Sequence, residues 1–516
     1  MSKYLEMKIR LSLSACIYAI LVLVSMSFLA LTFRGAEDIT HYSKVLDTRV
    51  GGPFESSNNN ARYALTKSIV DNQSFFFSRE LAQFSAPDLV QYDGKYTSIF
   101  TPGVSFAAVP LYLLGQQFGM EQVFAYLLNP IFAILAVILI THLVNRLTGS
   151  LIAGCISGLS FLLATNALIY SQTLTQHLMS TCIILSTIYI ATYTHRAWKY
   201  LFGGVLLGLG VLVDLPNAIS MLPSLIVLAL SGVKVVSSKL RTSFTIDTFL
   251  GLLLAGLVPL LGVFAYYNVV TNASPVKIAQ FIGRTETVVP EVATVIPETN
   301  SDLTDDDDSF EFPFYSRISL DGLHILLISN ERGIFYYSPI LIISLLGAYL
   351  LYKDRRYEKI AVLCMTTAIL IVVMYSMFGD PWGGWSFGPR YLIPVSALMS
   401  IFVGVALARY RKNILFSGLF FALLTYSLYV NMLGALTTAA VPPKGEALSL
   451  PDPVPYTYHY NLDRVEQNLS SSYIYNAYGR DEITLSDYSY YLIGIEMSIF
   501  IALYSLLLYT PRRSRK

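Results

Sequence analysis

The chain has 516 residues, of which 54% are apolar and only 13% are charged, and its mean hydropathy is +0.55. This composition excludes an ordinary soluble globular domain. The formal net charge of +1 says little by itself, but the distribution of the charges along the chain is informative.

Long apolar runs recur from one end of the chain to the other, and a run of about 20 residues crosses about 30 Å of hydrocarbon as a helix. Helices are the expected spanning elements because backbone polar groups cannot stay unpaired in lipid. The sequence therefore predicts an all-α polytopic membrane protein with about twelve transmembrane helices, forming a single membrane-embedded domain over residues 1–516. The runs cover residues 11–33, 122–144, 150–168, 177–193, 200–213, 217–231, 248–268, 334–352, 360–378, 391–408, 413–433 and 488–509.

Three of these assignments need an argument. The first run is 23 residues long and has no small-residue cleavage site after it, so we expect a retained span and not a signal peptide. Runs 200–213 and 217–231 are short and are split by Asp-Leu-Pro-Asn at 214–217, which makes them the weakest pair. Residues 102–118 are expected to form a helix along the membrane surface, because a span there would invert every later loop.

Basic residues test the topology independently. Alternate connections are short and rich in Lys and Arg, and they hold 20 of the 35 basic residues. Cytoplasmic loops carry this excess, so both termini are predicted to be cytoplasmic, in the plasma membrane. The basic residues of this set are Lys3, Lys8, Arg10, Arg146, Arg196, Lys199, Lys234, Lys239, Arg241, Lys353, Arg355, Arg356, Lys359, Arg409, Arg411, Lys412, Arg512, Arg513, Arg515 and Lys516.

The remaining connections include three long extracytoplasmic loops, at residues 34–121, 269–333 and 434–487. Surface helices are expected within the first loop, at 60–72 and 104–118. The second loop contains four consecutive aspartates at 305–308, which we interpret as a solvated acidic turn because the spacing and glycine of a calcium-binding loop are missing.

Ionisable residues are almost absent from the predicted span interiors, where ion-coupled transporters usually keep them. They collect instead where spans meet the predicted outer surface, within reach of a lipid headgroup. This set comprises Arg34, Glu37, Asp38, His177, Asp214, Arg332 and Arg390.

Residues 379–391, Gly-Asp-Pro-Trp-Gly-Gly-Trp-Ser-Phe-Gly-Pro-Arg-Tyr, form the most distinctive segment. Its glycines allow close approach of backbone to a ligand. Trp382 and Trp385 could stack on sugar faces, and Arg390 is suited to phosphate. The alternative is an interfacial tryptophan belt with a snorkelling arginine.

Residues 59–64, Asn-Asn-Ala-Arg-Tyr-Ala, are similar to the Asp-Glu-x-Arg-Tyr-Ala motif in the first outer loop of lipid A aminoarabinose transferases. Those enzymes belong to the GT-C superfamily, together with the protein O-mannosyltransferases. Segments 92–96, 101–103 and 110–112 resemble the juxtamembrane part of that superfamily, and Arg-Tyr-Leu-Ile-Pro at 390–394 resembles its late Arg-Tyr-Leu-x-Pro motif. Segments 331–339 and 384–388 resemble uncharacterised bacterial and archaeal members.

The resemblance implies an inverting glycosyltransferase that uses a polyprenyl-phosphate sugar as donor, on the extracytoplasmic side. Such a reaction needs a carboxylate to accept the acceptor's proton and cationic groups for the leaving phosphate. Membrane lipids and an extracytoplasmic acceptor are the expected partners, without nucleic acid. No cofactor is expected to be required, and a divalent metal is not indicated. The residues assigned to donor phosphate and sugar are Arg390, Arg332, Lys95, Trp385, Trp382, Arg62, Tyr63 and Asn59.

The chain departs from the family pattern at one important point. The paired acids of the family align with Asn59 and Asn60, and an amide cannot act as a general base. We therefore predict Asp38 as the base, with Asp47 and Asp71 as alternatives and His177 as a second candidate. Two rival functions stay open. Twelve spans with internal termini also fit a transporter or flippase for a lipid-linked glycan, and Asn59 and Asn60 make a non-catalytic binder of such a glycan credible.

Overall fold

A computed structural model describes residues 3–194, 196–237, 246–282 and 320–509. Within these ranges the chain forms helices throughout, apart from one two-stranded antiparallel sheet. Together with the apolar helices described below, this confirms the predicted all-α polytopic membrane fold. The aspartate run at 305–308 and most of the second long loop lie outside the described residues.

The long helices of the first half of the chain fall close to the predicted runs, whereas the two strands were not predicted. They are α1 (Lys3–Leu31), α2 (His41–Lys44), α3 (Ser57–Asp71), α4 (Arg79–Ser85), β1 (Leu89–Tyr92), β2 (Lys95–Ser98), α5 (Gly103–Gln116), α6 (Glu121–Tyr126), α7 (Leu128–Thr148), α8 (Leu151–Leu163), α9 (Ala167–Tyr170), α10 (His177–Tyr193), α11 (Trp198–Val213), α12 (Asn217–Ser220) and α13 (Leu222–Ser237).

The second half contains both long and short helices. They are α14 (Ile246–Asn272), α15 (Leu320–Leu327), α16 (Ile334–Tyr337), α17 (Ile343–Lys353), α18 (Glu358–Ser376), α19 (Ile393–Tyr410), α20 (Ile414–Leu436), α21 (Lys444–Ser449), α22 (His459–Glu466) and α23 (Leu485–Tyr509). Short 3₁₀ turns cover Ala279–Phe281, Pro339–Ile342 and Arg390–Leu392, and a π turn covers Tyr475–Gly479.

Among the described residues, seven helices are long and apolar enough to cross a membrane: α1, α6 with α7, α14, α18, the Arg390–Tyr410 segment, α20 and α23. Six further apolar helices are shorter, and they include α5. The count of about twelve spans stays a prediction. The break between runs 200–213 and 217–231 is present, because α11 ends at Val213 and Asp214 follows with extended backbone.

Helices α8 and α19 form the centre of the bundle. Nearly every residue of α8 is buried, and α19 is buried continuously from Ile393 to Leu407. The Ser157 hydroxyl on α8 donates to the Ser400 carbonyl on α19. By contrast, α1, α14 and α23 present large apolar side chains on the outside of the bundle, as expected for helices that face lipid.

Helices α11 and α14 are held together by two glycines that face each other. A methyl group built on Gly204 would lie 2.0 Å from the Leu253 carbonyl oxygen, and one built on Gly256 would lie 2.2 Å from the Leu201 carbonyl oxygen. Small residues at such a crossing let backbones approach closely, which is a principal source of helix association in membranes. This contact fixes the position of α11, whose end carries Asp214.

Residues 53–126 fold into a compact layer on the bundle. The buried Phe54 ring contacts the rings of Tyr63 and Phe84, both with centroids 4.9 Å away. Strands β1 and β2 are joined by Asp93 and Gly94, both with positive φ, as a two-residue hairpin turn requires. The predicted surface helices at 60–72 and 104–118 correspond to α3 and α5, which pack against each other.

Gly256→Ala is expected to destabilise the protein by about 1–3 kcal/mol, because the added methyl group overpacks the α11–α14 contact. The measurement is the unfolding temperature of detergent-purified protein. Gly251→Ala is the matched control on the same helix, since a methyl group there meets nothing within 4 Å. Alanine is the better helix former, so the control should be neutral or stabilising. Equal effects of the two substitutions would contradict the close contact.

Candidate active site on the loop side

Several loop segments meet on one side of the bundle, the loop side, defined by the connections that contain α3, α21 and α22. The buried Glu55 carboxylate pairs with Arg34 at the end of α1. It also accepts hydrogen bonds from the backbone N–H groups of Gly51 and Ala439, both at 2.8 Å, and from the Thr438 hydroxyl. Glu55 therefore ties the first loop to the segment that follows α20.

Arg62 lies on α3 and is fully buried, with 1% of its surface exposed. One terminal nitrogen donates to the Asn58 carbonyl oxygen at 3.1 Å and also to the Asn58 side chain. The guanidinium carbon lies 3.9 Å from the centre of the Phe100 ring, a cation–π contact. Burial lowers the pKa of Arg62 to about 10, opposed by the negative charges of Asp214 and Asp88, so the group is a cation at neutral pH.

A short polar chain connects Arg62 to Asp214. The second terminal nitrogen of Arg62 donates to Gln176 Oε1 at 2.8 Å, and Gln176 Nε2 donates to Asp214 Oδ2 at 3.3 Å. Asp214 lies in the turn after α11 and is buried. Burial raises the pKa of this carboxyl to about 6, although Arg62, Gln176 and Arg390 favour its charged form. The structure thus holds a buried carboxylate within the influence of two cations.

His177 and Arg390 complete the cluster. His177 is the first residue of α10, and its ring contacts the rings of Tyr170 and Tyr391 with centroids 5.6 and 6.2 Å apart. Arg390 precedes α19, with its guanidinium carbon 5.3 Å from the centre of the Tyr391 ring. Arg390 acts electrostatically on both His177 and Asp214. The structure therefore brings together three predicted residues, Arg62, His177 and Arg390.

Several buried polar atoms of these residues have no hydrogen-bond partner in the described part of the chain. They are Arg62 Nε, His177 Nε2, Arg390 Nε and, on α3, Asn59 Oδ1. Buried polar groups in folded proteins are nearly always paired, so a cluster of unpaired ones indicates a place that binds a polar ligand. Two guanidinium groups among them favour an anion such as phosphate.

Arg332, also predicted to bind phosphate, has a different environment. It is fully buried, and its nitrogens donate to the carbonyl oxygens of Trp382, Gly384, Glu331 and Val441 at 2.8–3.3 Å. These bonds hold the Gly-Trp segment 379–391 against the segment after α20. Arg332 therefore stabilises the contact between these two segments.

The contacts of the other predicted sugar-binding residues are with residues outside the cluster. Trp382 Nε1 donates to Glu331 Oε2 at 2.7 Å, and Trp385 is partly exposed, with its Nε1 donating to Glu446. Lys95 is exposed on the β1–β2 hairpin, 5.0 Å from the centre of the Phe76 ring. Tyr63 is buried in the aromatic core of the first loop.

The predicted bases Asp38, Asp47 and Asp71 are bonded locally. The exposed Asp38 accepts from the backbone and hydroxyl of Thr40, which lowers its pKa. Asp47 pairs with Arg49, and Asp71 pairs with Lys67. Within the described ranges, no hydrogen bond or ion pair joins these three carboxylates to the cluster.

Two residues of the cluster were not assigned a role from the sequence. The sequence places Asp214 among the ionisable groups at span ends. Its position at the break between two short apolar runs is the feature that could have indicated a role in the site. Gln176 directly precedes His177 but carries no pattern of its own. In the described part of the chain, no group of three His, Cys, Asp or Glu side chains is arranged to hold a metal ion; whether a metal is needed stays untested.

Comparison with solved structures identifies the fold. The apo crystal structure of ArnT from Cupriavidus metallidurans matches with a TM-score of 0.50 at 14% identity, over 95% of this chain and 76% of that chain. ArnT from the same organism bound to undecaprenyl phosphate gives 0.48 at 14% identity, over 96% and 77%. The Archaeoglobus fulgidus oligosaccharyltransferase tethered to an acceptor peptide gives 0.43 at 13% identity, over 81% and 54%.

No protein-family model and no curated protein sequence matches the chain. At such low identity the structural likeness shows the fold alone. The fold shared with ArnT is the one expected from the resemblance of the sequence motifs to lipid A aminoarabinose transferases.

Arg332→Lys should destabilise the protein, because a lysine cannot reach the same set of carbonyls and each buried carbonyl left unpaired costs about 1–3 kcal/mol. The unfolding temperature in detergent is the readout. Arg79→Lys is the control, since Arg79 is exposed at the start of α4. An Arg332→Lys protein as stable as this control would contradict the structural role of Arg332.

Proposed function

We propose that this protein, a polytopic membrane protein with the GT-C fold, is an inverting glycosyltransferase that uses a polyprenyl-phosphate sugar as donor. The observation that carries the proposal is the cluster of Arg62, Arg390 and Asp214. The buried Arg62 and the partly buried Arg390 lie there near a buried carboxylate whose pKa is raised to about 6 by burial. Such a set combines a phosphate-binding site with a proton acceptor matched to neutral pH.

In the proposed reaction, a hydroxyl or amide of the acceptor attacks the anomeric carbon of the donor sugar. The bond from that carbon to the phosphate oxygen breaks, and the polyprenyl phosphate leaves with its electron pair. The acceptor's proton passes to the Asp214 carboxylate, and the configuration at the anomeric carbon is inverted by the single displacement. Arg62 and Arg390 stabilise the charge that develops on the leaving phosphate.

Asp214 is a better base in this proposal than Asp38, the residue first favoured. Asp38 is exposed and bonded to Thr40, so hydrogen bonds lower its pKa and make it a weak proton acceptor. Asp214 is held by Gln176 and lies within the influence of both arginines. The unpaired Nε2 atom of His177 beside them supplies a further hydrogen bond to the bound substrate.

The loop side is proposed to face the extracytoplasmic space, with both termini in the cytoplasm and the protein in the plasma membrane. The positive-inside pattern supports this orientation, because 20 of the 35 basic residues fall in the opposite set of short connections. A polyprenyl-phosphate headgroup at that surface would lie level with the outer ends of α10, α11 and α19. The acceptor is proposed to be a lipid, glycan or protein on the same side.

A carrier of lipid-linked glycans is the main alternative. A carrier would bind the same headgroup through the same arginines, but it would move the substrate without breaking a bond. The enzyme is favoured because ionisable residues are almost absent from the predicted span interiors, where ion-coupled transporters usually keep them.

If the protein is a transferase, it should release or transfer the sugar of one donor. The measurement incubates purified protein with a panel of polyprenyl-phosphate sugars and a membrane acceptor fraction. Asp214→Asn should lower the rate by about 100-fold or more because the proton acceptor is lost. Arg390→Ala should lower it by about 100-fold because leaving-group stabilisation is lost. Asp38→Asn is the matched control and should keep the wild-type rate.

The outcomes separate the candidates clearly. Loss of activity in Asp38→Asn with full activity in Asp214→Asn would restore Asp38 as the base. Donor binding by the wild type without cleavage of any donor, with the acceptor fraction present, would reject the enzyme and favour a carrier or a non-catalytic binder.

The pH dependence gives an independent prediction. Asp214 must be ionised to accept a proton, so kcat/KM should rise with pH through about 6 and level off above it. Below that value the rate should fall about tenfold per pH unit. A rate that is flat between pH 5 and 8, measured with saturating acceptor, would exclude Asp214 as the base.

A further inference from the structure

Glu496 is a carboxylic acid in the middle of a membrane-spanning helix. It lies on α23, eleven residues after Leu485 and thirteen before Tyr509. At about 1.5 Å per residue the carboxyl is about 16 Å from one helix end and about 20 Å from the other. This depth corresponds to the centre of a bilayer whose hydrocarbon core is about 30 Å thick.

The side chain of Glu496 faces the protein and not the lipid. It is fully buried, with 0% of its surface exposed, and it belongs to a stripe of buried residues spaced three or four apart, with Ser489, Leu492 and Phe500. This stripe packs against α8 and α20. Nearby, Thr425 on α20 contacts the Met497 sulfur, so Glu496 lies level with the middle of α20.

No partner neutralises this carboxyl in the described part of the chain. Both of its oxygens are buried without a hydrogen bond, and no salt bridge reaches it. Helices α8 and α20 carry no charged residue; their titratable side chains are Cys155, Tyr426 and Tyr429. The charged residues of α22, and the tyrosines of the π turn 475–479, lie toward the start of α23, at the loop side.

An ionised carboxylate in such surroundings is very costly, because nothing replaces the water that it has lost. We propose that Glu496 is a proton-binding site at the centre of the membrane, occupied by a proton at neutral pH, and that this proton holds α23 in the bundle. The inference rests on the placement of Glu496 alone and is independent of the proposed transferase activity.

The contacts at the start of α23 are the ones that the proton on Glu496 would control. The Asn468 side chain accepts from the backbone of Leu485, and the Tyr488 hydroxyl donates to the Leu31 carbonyl at the end of α1. Loss of the proton leaves a charge that must be hydrated, so α23 has to separate from α8 and α20. That movement would release the contacts of α23 with the third loop and with α1.

The direct test is infrared spectroscopy of the full-length protein in detergent at pH 8. The wild type should show the carbonyl band of a protonated carboxyl, which shifts in heavy water and is missing in Glu496→Gln. Glu482→Gln is the control, since Glu482 is exposed just before α23, and it should keep the band. Asp214 does not contribute at this pH because its pKa is about 6.

The second readout is stability against pH. The folded protein keeps a proton that the unfolded chain releases above about pH 4.3, so the folding equilibrium of the wild type should fall by up to tenfold per pH unit relative to Glu496→Gln. Glutamine mimics the neutral acid and is expected to fold. A band that persists unchanged in Glu496→Gln would belong to another carboxyl, and no band in the wild type would mean that Glu496 is ionised, for example as a carboxylate bound to a monovalent cation. Either result overturns the proposal. Equal pH dependence of the two proteins would overturn the role in holding α23.

Discussion

The arrangement of the segments on the loop side depends on the burial of Arg62. A guanidinium group removed from water must keep its hydrogen bonds and its counter-charges, or the fold loses several kcal/mol. Arg62 meets this requirement through Asn58 on its own helix and through Gln176, which in turn binds Asp214. Three elements that are distant in sequence, α3, the start of α10 and the end of α11, are therefore locked in one arrangement. The Ser105 hydroxyl adds α5 to this set by donating to the Arg62 carbonyl at 2.9 Å.

Three arginines of the loop side, Arg332, Arg62 and Arg390, differ in the state of their donors. Arg332 donates to four backbone carbonyls and holds two segments together, whereas Arg62 and Arg390 each keep a buried Nε without a partner. An arginine of the first kind gives the loops their shape, and one of the second kind is available to a ligand. Composition and position along the chain cannot distinguish the two kinds, since both Arg332 and Arg390 occur next to spans in glycine-containing segments.

The length of the apolar runs was sufficient to predict the long helices, because a span must cross the bilayer and pair its backbone groups internally. The run at 177–193 matches α10 at both ends, and α3 and α5 lie close to the predicted surface helices. The hairpin at β1 and β2 was missed, although Asp93-Gly94 is a known signal for one. The proposed base was harder to predict. The first-loop acids appeared suitable by their position after α1, but only tertiary contacts show which carboxylate is buried near the arginines. Glu496 was overlooked because one acid in the apolar run 488–509 hardly changes the hydropathy of that run.

The paired glycines of α11 and α14 also limit how the chain can vary in length. Gly204 fixes the rotation of α11 against α14, and Asp214 follows ten residues later at the end of the same helix. One residue inserted or deleted between them would rotate the carboxyl by about 100° around the helix axis and shift it by about 1.5 Å, away from Gln176. Relatives that keep this polar chain should therefore conserve the spacing between the glycine and the aspartate, even where the residues between them are exchanged freely for other apolar ones.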